Sequence, residues 1–356
     1  MRKMLTLTLI GAIIAPLLFA AYPDEYPLYL RLMGFSKEEI RDLEDGGMVQ
    51  HTLKDKLPGE YGTIVGVVSN VPVYYYRDYY RYIENFKSLF EFQQIGKFGS
   101  KPDLQDLKAL RFTDKELEEF LTCQQGNCEI KLSADEIAMI PKNPDMKTDA
   151  GKERISDVYR QIILNRLLAY QGQGMKGLKD YVDGPTPYNL NDILQNHMLK
   201  FSELDAYFPI IKKYILEYPT YKNKRIEEFF FWSKEFLGNK PVIGLRHVFT
   251  ERIGEDYIIV TKLIYANHYM LSSIAITHLL DYVDKGVPRT LLAVEQRTLT
   301  DLRGDPWEAF GRSIMRSNQT KRIAMEYKAA RSEMELRYLG REYTSFPYGL
   351  LPRDQR

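Results

Sequence analysis

Three histidines, His247, His268 and His278, are the first candidates for chemistry. Three neutral imidazoles can hold zinc and leave a fourth position open for catalysis. No pair has the His-x-His or His-x-x-x-His spacing, so we expect no shared metal site. Isolated, hydrogen-bonded histidines are the main interpretation, and general acid or base work by one of them is the alternative.

Four charged residues in the same region form a second set. Glu295 and Arg297 are two apart, so they share a face if the segment is a strand. Arg246 and Lys262 are further candidates from neighbouring strands. If this face lines a tunnel, a charge there is costly unless it is paired or bound to the polar head of a ligand. The alternative is an ion pair at the solvent edge.

An aromatic run, Phe-Phe-Phe-Trp at residues 229–232, follows a basic stretch at residues 222–225. Aromatic residues beside basic ones are typical of segments that touch a membrane surface or line a ligand entrance. Four consecutive aromatic residues cannot share one face of a helix or strand, so two directions must be apolar. Core packing between two layers is therefore the simpler interpretation.

Several kinds of chemistry have no motif in this sequence. It contains no Gly-x-Ser-x-Gly elbow and no Gly-rich phosphate loop. The 49 Lys and Arg residues nearly cancel the 48 Asp and Glu residues, so no net field favours nucleic acid. We accordingly expect no nucleic-acid partner and assign no cofactor.

The first twenty residues have the form of a secretory signal peptide. Arg2 and Lys3 precede an apolar run at residues 5–19, and the small residues Ala20 and Ala21 follow. The run is shorter than the roughly 20 apolar residues that a spanning helix needs. We predict a signal peptide over residues 1–20 and a periplasmic or extracellular protein. A membrane anchor is the alternative.

The only two cysteines, Cys123 and Cys128, enclose Gln-Gln-Gly-Asn. In an exported protein, such a close pair predicts a disulfide, and Gly126 and Asn127 supply the tight turn that it needs. A metal site would need two further ligands, and no cysteine remains to provide them. A redox pair is the other alternative, although it usually has two intervening residues rather than four.

The elements that must position the candidates are four consecutive strands, predicted at residues 242–250, 257–266, 269–282 and 289–300. Neither face of the second strand is polar throughout, so we expect the sheet to be covered on both sides. Asp305 is an N-cap candidate followed by Pro306, which predicts a long C-terminal helix. Upstream, we predict strands at residues 48–53, 63–68, 95–98 and 129–132, and helices over 73–90, 103–123, 151–171 and 190–218.

This order of elements resembles the helix-grip fold of START-like lipid-binding proteins. The matching pieces are residues 48–98, including Val-Val-Ser-Asn-Val-Pro at 67–72, and residues 242–339. The resemblance implies an α+β fold in which an antiparallel β-sheet wraps a long C-terminal helix and leaves an apolar tunnel between the sheet and the helix. We divide the rest of the chain into an N-terminal α+β part at 21–141, a helical insertion at 142–240, the meander and C-terminal helix at 241–340, and a tail at 341–356.

We therefore predict an exported binding protein for a lipid or other hydrophobic small molecule, with transient contact to a membrane surface. The polar head of the ligand is expected to be oriented by Arg246, Lys262, Glu295, Arg297 and one or more of His247, His268 and His278. Tyr265 and Trp307 are predicted to form cavity walls. One alternative is an enzyme that uses the same cavity for acid–base chemistry on a hydrophobic substrate. Another is a non-catalytic interaction module of the cell envelope with a packed interior.

Overall fold

The computed structural model describes residues 30–340 except 32, 87–91, 202–207, 238–239, 285 and 302–305. Within these ranges, side chains are described except at residues 86, 282, 284, 306–320 and 322. The predicted signal peptide and the tail lie outside the described residues. Among the helices that are described, none is both long enough and apolar enough to cross a membrane.

An antiparallel sheet forms the centre of the described chain. Its eight strands are β1 (Met48–Leu53), β2 (Glu60–Ser69), β3 (Phe92–Lys97), β4 (Ile226–Leu237), β5 (Lys240–Ile253), β6 (Asp256–Ala266), β7 (Met270–Asp284) and β8 (Val287–Thr300). They lie in the order β1-β2-β8-β7-β6-β5-β4-β3. The predicted meander is thus β5 to β8, and β2 joins it beside β8.

Helices cover both sides of this sheet. The α-helices of the described residues are α1 (Lys37–Glu44), α2 (Val73–Tyr80), α3 (Asp114–Leu121), α4 (Ala134–Ile137), α5 (Asp149–Gln173), α6 (Leu190–Met198), α7 (Pro209–Glu217) and α8 (Pro306–Tyr338). Short 3-10 helices occur at Ile83–Phe86, Leu104–Leu107 and Gly174–Gly177. The predicted class, a mixture of helices and an antiparallel sheet, is confirmed.

The sheet has two buried faces with different neighbours. The insertion face, which carries His247, Lys262 and Arg297, lies in a core with α5, α6 and α7. The C-terminal face, which carries Arg246, Thr261 and Gln296, lies opposite, and its core includes α2 and α8. Burial on both faces explains why the strands show little polar alternation.

Strand β4 is the main difference from the sequence prediction. It lies within the range 142–240 that was expected to be helical. Its aromatic residues alternate between faces, since Phe230 and Trp232 join the core of the insertion face and Phe231 the core of the C-terminal face. Because both faces of β4 are apolar, its sequence lacks the alternation of apolar and polar residues that indicates a strand, and the strand was not predicted.

Four smaller predictions were also wrong, one of them the helix predicted over 190–218, which is divided into α6 and α7. The predicted strand at residues 129–132 is irregular, and its Lys131 N–H donates to the Asn267 carbonyl of a loop. The helix predicted over 73–90 ends at Tyr80. The helix predicted over 103–123 is divided into Leu104–Leu107 and α3, because Thr113 starts a new helix with a capping box to Glu116.

Cys123 and Cys128 form the predicted disulfide. Its loop is fastened to a neighbouring segment, since Gly126 N–H donates to Val182 O and Cys128 N–H to Asp183 O. Replacing both cysteines with Ala is expected to lower the free energy of unfolding by about 2 kcal/mol, measured by urea denaturation. Reductant should produce the same loss in the parent protein and none in the double variant. An unchanged parent protein in reductant would contradict a stabilising role.

Candidate functional site

A cavity of about 110 Å3 lies between the C-terminal face of the sheet and α8. Phe231 and Leu263 line it from the sheet, and Ile323 and Tyr327 line it from the helix. Tyr80, at the end of α2, contributes to one side. The cavity is therefore bordered by the sheet, α8 and the end of α2, which are distant in sequence.

The floor of the cavity is a row of small and polar residues on three central strands. Thr261 on β6 pairs with Ala275 on β7, which pairs with Gln296 on β8. All three are half-buried, although they lie at the centre of the sheet. Residues on such strands are normally covered, so their exposure marks a place where no side chain of the described residues fills the space. Ala275 leaves that space because its side chain is a single methyl group.

Several neutral polar groups border this floor. The Tyr80 hydroxyl lies 2.9 Å from Thr261 Oγ1, and Ser273 Oγ lies 2.8 Å from Thr298 Oγ1. Gln296 has no side-chain hydrogen bond to any described residue. A ligand here would find an amide and hydroxyl groups on the sheet side, and Ile323 and Tyr327 together with the carboxyl group of Glu326 on the helix side.

Arg246 brings a positive charge to the cavity wall, but that charge is paired. Its Nη2 donates to Glu235 Oε1 at 2.6 Å, and its Nη1 donates to Ser233 Oγ. The guanidinium carbon also lies 5.7 Å from the Phe231 ring centroid. Of the predicted ligand-binding residues whose side chains are described, Arg246 alone lines this cavity.

His247 and Lys262 lie on the insertion face, so the structure separates them from Arg246. Arg246 and Lys262, which were predicted to orient the same ligand head, thus project from opposite faces of the sheet. A bulge between Leu245 and Arg246 sets the register, in which Arg246 pairs with Leu263 and His247 with Lys262. Alternation along a strand determines which of its residues share a face, but a bulge changes which residues of the neighbouring strand lie opposite them.

His247 is the centre of a buried hydrogen-bond chain. Its Nδ1 lies 3.1 Å from Tyr170 Oη on α5, and its Nε2 lies 2.7 Å from Glu228 Oε2 on β4. Tyr214 also donates to Glu228 Oε2, at 2.7 Å. Burial lowers the pKa of His247 to about 4, although the hydrogen bond and charge of Glu228 act to raise it. A neutral His247 that donates from Nε2 leaves Nδ1 to accept from Tyr170.

Lys262 lies beside this chain with its side chain fully buried. Its Nζ has no hydrogen-bond partner among the described residues and lies 4.7 Å from the Tyr170 ring centroid. Burial lowers the pKa of Lys262 from 10.5 to about 7. An amine with this pKa is largely neutral just above neutral pH, whereas an ordinary lysine is almost fully protonated there.

Glu295 and Arg297 form a buried pair rather than an ion pair at the solvent edge. Arg297 Nε donates to Glu295 Oε1 at 2.5 Å, and Arg297 Nη1 lies 3.6 Å from Glu60 Oε1. Glu60 is also hydrogen-bonded to His197, which is hydrogen-bonded to Ser272. These residues join β2, β7 and β8 to α6, far from the C-terminal face.

The remaining predicted residues lie apart from one another. His278 is buried 4.5 Å from the Phe208 ring centroid, and burial lowers its pKa to about 3. His268 Nε2 lies 3.9 Å from Glu119, and burial lowers its pKa to about 4. Tyr265 packs under the guanidinium of Arg166 at 4.4 Å. The side chain of Trp307 is outside the described residues, and in the described part no group of three potential ligands could hold a metal ion.

Sequence reasoning missed Tyr170, Glu228, Ala275 and Gln296. Tyr170 lies on the long helix α5, and an aromatic residue on a helix does not by itself indicate a function. Glu228 precedes the aromatic run and was overlooked because β4 was not recognised. Ala275 and Gln296 could have been found from the alternation of residues along the strands, which places both on the sheet face opposite Glu295 and Arg297.

Comparison with known proteins adds little to this geometry. No protein-family model matches the chain, and no curated protein sequence matches it. Among solved structures, the chain is similar to the crystal structure of the Zhui aromatase/cyclase from Streptomyces sp. R1128. The sequences are 10% identical, and the TM-score is 0.28 over 36% of this chain and 83% of the aromatase/cyclase. A similarity at this level carries no inference about function.

Proposed function

We propose that this chain is an exported binding protein that holds a lipid or other hydrophobic small molecule between the sheet and α8, in a START-like helix grip. The open row Thr261, Ala275 and Gln296 at the centre of the sheet is the observation that supports this most directly. The space over these central strands is about 110 Å3, smaller than the roughly 300–1,000 Å3 of a pocket that holds a whole ligand, so it would take an apolar group of the ligand rather than all of it.

Affinity would come mainly from the apolar walls. Each buried Å2 of apolar ligand surface contributes about 25 cal/mol before the costs of ordering. The Gln296 amide and the Tyr80 and Thr261 hydroxyls would orient a polar group of the ligand. Since Glu235 already neutralises Arg246, a neutral ligand would enter without breaking a buried ion pair.

The test of this function is native mass spectrometry, with organic extraction, of protein purified from the envelope fraction of its own cells. We expect a reproducible co-purifying lipid or apolar metabolite and an N-terminus at Ala21. A protein that carries nothing and takes up no lipid from phosphatidylcholine vesicles would contradict the binding function. An intact Met1 in the cytoplasmic fraction would contradict export.

Filling the cavity from its floor should remove binding. In Ala275→Trp, the indole would occupy the space above β7, and we expect the affinity for the apolar dye N-phenyl-1-naphthylamine to fall at least tenfold. Ala329→Trp on the exposed side of α8 is the matched control and should bind as the parent does. Dye titration by fluorescence, with circular dichroism to verify folding, measures both. Equal affinity in both folded variants would show that the dye binds elsewhere.

A further inference from the structure

The floor of the ligand cavity carries hydrogen-bond donors that no described residue uses. Gln296 makes no side-chain hydrogen bond to a described residue, so both hydrogens of its amide nitrogen are available. Tyr80 and Thr261 share one hydrogen bond of 2.9 Å. The phenol is the more acidic hydroxyl, so we assign it as the donor, which leaves the hydroxyl hydrogen of Thr261 without an acceptor among the described residues. Ser273 and Thr298 share one bond of 2.8 Å and leave one further hydrogen.

These donors surround the methyl group of Ala275. Thr261, Ala275 and Gln296 lie opposite one another on β6, β7 and β8, and neighbouring strands are about 4.8 Å apart. Ser273 precedes Ala275 by two residues, so it lies on the same face of β7 and also lines the cavity. A ligand atom placed above the methyl group would therefore have donors on three sides.

The floor needs an acceptor from a ligand more than it needs a donor. A buried N–H or O–H that finds no acceptor has lost its hydrogen bond to water, and such donors are rare in folded proteins. An oxygen that already accepts one hydrogen bond tolerates an empty second lone pair more readily. The group that completes this floor is therefore one that accepts hydrogen bonds.

Charge disfavours the anionic acceptors. The carboxyl groups of Glu235 and Glu326 line the cavity, and Arg246 supplies the one guanidinium group among the described lining residues. Arg246 is already joined to Glu235 at 2.6 Å. A carboxylate or phosphate on the ligand would lie close to these like charges, whereas an uncharged oxygen would not be repelled.

Building on the binding function above, we propose that the part of the ligand held over Ala275 carries an uncharged carbonyl oxygen, as in a long-chain ketone or an acyl ester. That oxygen accepts hydrogen bonds from the Gln296 amide and the Thr261 hydroxyl. A carbonyl group has two lone pairs and no hydrogen, so it can serve both donors at once. An alcohol would add another hydrogen to a floor that already has unused ones.

Displacement of N-phenyl-1-naphthylamine from the full chain tests the ligand class. The competitors are nonan-2-one, methyl octanoate, nonan-2-ol and nonanoate at pH 7, which share an apolar chain and differ in the polar end. We expect the ketone and the ester to displace the dye at concentrations about fivefold lower than the alcohol, the effect of one net hydrogen bond, and nonanoate to be the weakest. The tighter of the first two identifies the source of the carbonyl group.

The outcomes separate this ligand class from the binding function. An alcohol or carboxylate that binds as tightly as both carbonyl compounds would overturn the carbonyl preference and leave the binding function standing. A folded protein that binds neither the dye nor any competitor would contradict both.

A variant of the floor identifies the donor. Gln296→Leu keeps a side chain of similar size without the amide, and we expect it to lose about fivefold in affinity for nonan-2-one. Gln195→Leu, at an exposed position of α6, is the matched control and should bind as the parent does. Circular dichroism verifies that both variants fold. Equal affinity for the ketone in folded Gln296→Leu and the parent would overturn the role of Gln296.

Infrared spectroscopy of the parent protein provides a second measurement that needs no variant. With nonan-2-one labelled with carbon-13 at its carbonyl, the C=O stretch of the bound ketone should lie at a lower wavenumber than in hexane, because hydrogen bonds weaken the C=O bond. In Gln296→Leu the band should move back toward its position in hexane. A bound ketone whose band in the parent matches that in hexane would overturn the proposal.

Discussion

Replacing Lys262 with Met is expected to raise the free energy of unfolding at pH 7 by about 3 kcal/mol. The pKa of Lys262 is lowered from 10.5 to about 7, and each unit of such a shift corresponds to about 1.4 kcal/mol. The full shift sets an upper figure of about 5 kcal/mol, and relaxation around the amine reduces it. Met fills a similar volume with an apolar chain, so the variant leaves no cavity.

The pH dependence of this effect has a definite sign. The unfolded chain holds its lysine proton up to about pH 10.5, whereas the folded chain releases it near pH 7. Folding is therefore penalised fully below pH 7, and the penalty fades as pH rises toward 10.5. Urea denaturation between pH 6 and 9.5 should show the parent protein gaining stability relative to Lys262→Met.

Lys213→Met on α7 is the matched control for this experiment. Lys213 is about half exposed, so its replacement should change the free energy of unfolding by no more than about 0.5 kcal/mol. A Lys262→Met protein that is no more stable than the parent at pH 7 would contradict the lowered pKa of Lys262.

The strands of the meander could be predicted from the sequence because their β-branched runs are long and end at turns. Residues 257–266 were expected as a strand, and β6 spans Asp256–Ala266. The first hairpin was also predicted, with β1 in the same bounds. These elements have strong local preferences that agree with their tertiary setting.

The site could be predicted only in part, because it depends on contacts that strand parity does not determine. Parity correctly placed Glu295 and Arg297 on one face. It could not show that Arg246 faces the other side, since that depends on a bulge at Leu245. Nor could it bring Tyr170 to His247, because these residues meet only when α5 packs on the sheet.

Glu60→Ala is expected to destabilise the fold by about 3–5 kcal/mol, the range for breaking a buried charge network. The Glu60 carboxylate accepts from His197 Nε2 at 3.2 Å and from the Leu57 N–H at 3.1 Å. It also lies 3.6 Å from Arg297 Nη1. Removing it leaves a buried imidazole and the backbone N–H groups of Lys56 and Leu57 without their acceptor.

Acid should weaken the parent protein through the same residue. Burial alone would raise the pKa of Glu60, but the His197 hydrogen bond, the Lys56 N–H and Arg297 lower it to about 2 from 4.5. The stabilisation is therefore complete above pH 4.5 and is lost as pH falls toward 2. Urea denaturation of the parent and Glu60→Ala should show a large difference at pH 7 that shrinks by pH 3. An equal difference at both values would mean that the carboxylate charge is not its source.

The same network has the connectivity of a catalytic triad, with Ser272 Oγ 2.7 Å from His197 Nδ1 and Glu60 on the other ring nitrogen. All three side chains are fully buried, and Glu60 also accepts a backbone hydrogen bond and interacts with the charge of Arg297. We therefore interpret it as a clamp that fastens α6 to the sheet. Glu60→Gln keeps an acceptor for the Leu57 N–H but loses the charge, so it should fall between Glu60→Ala and the parent in stability. Ser272→Ala should cost only about 1 kcal/mol, and fluorophosphonate labelling of Ser272 in the folded parent would contradict the structural role.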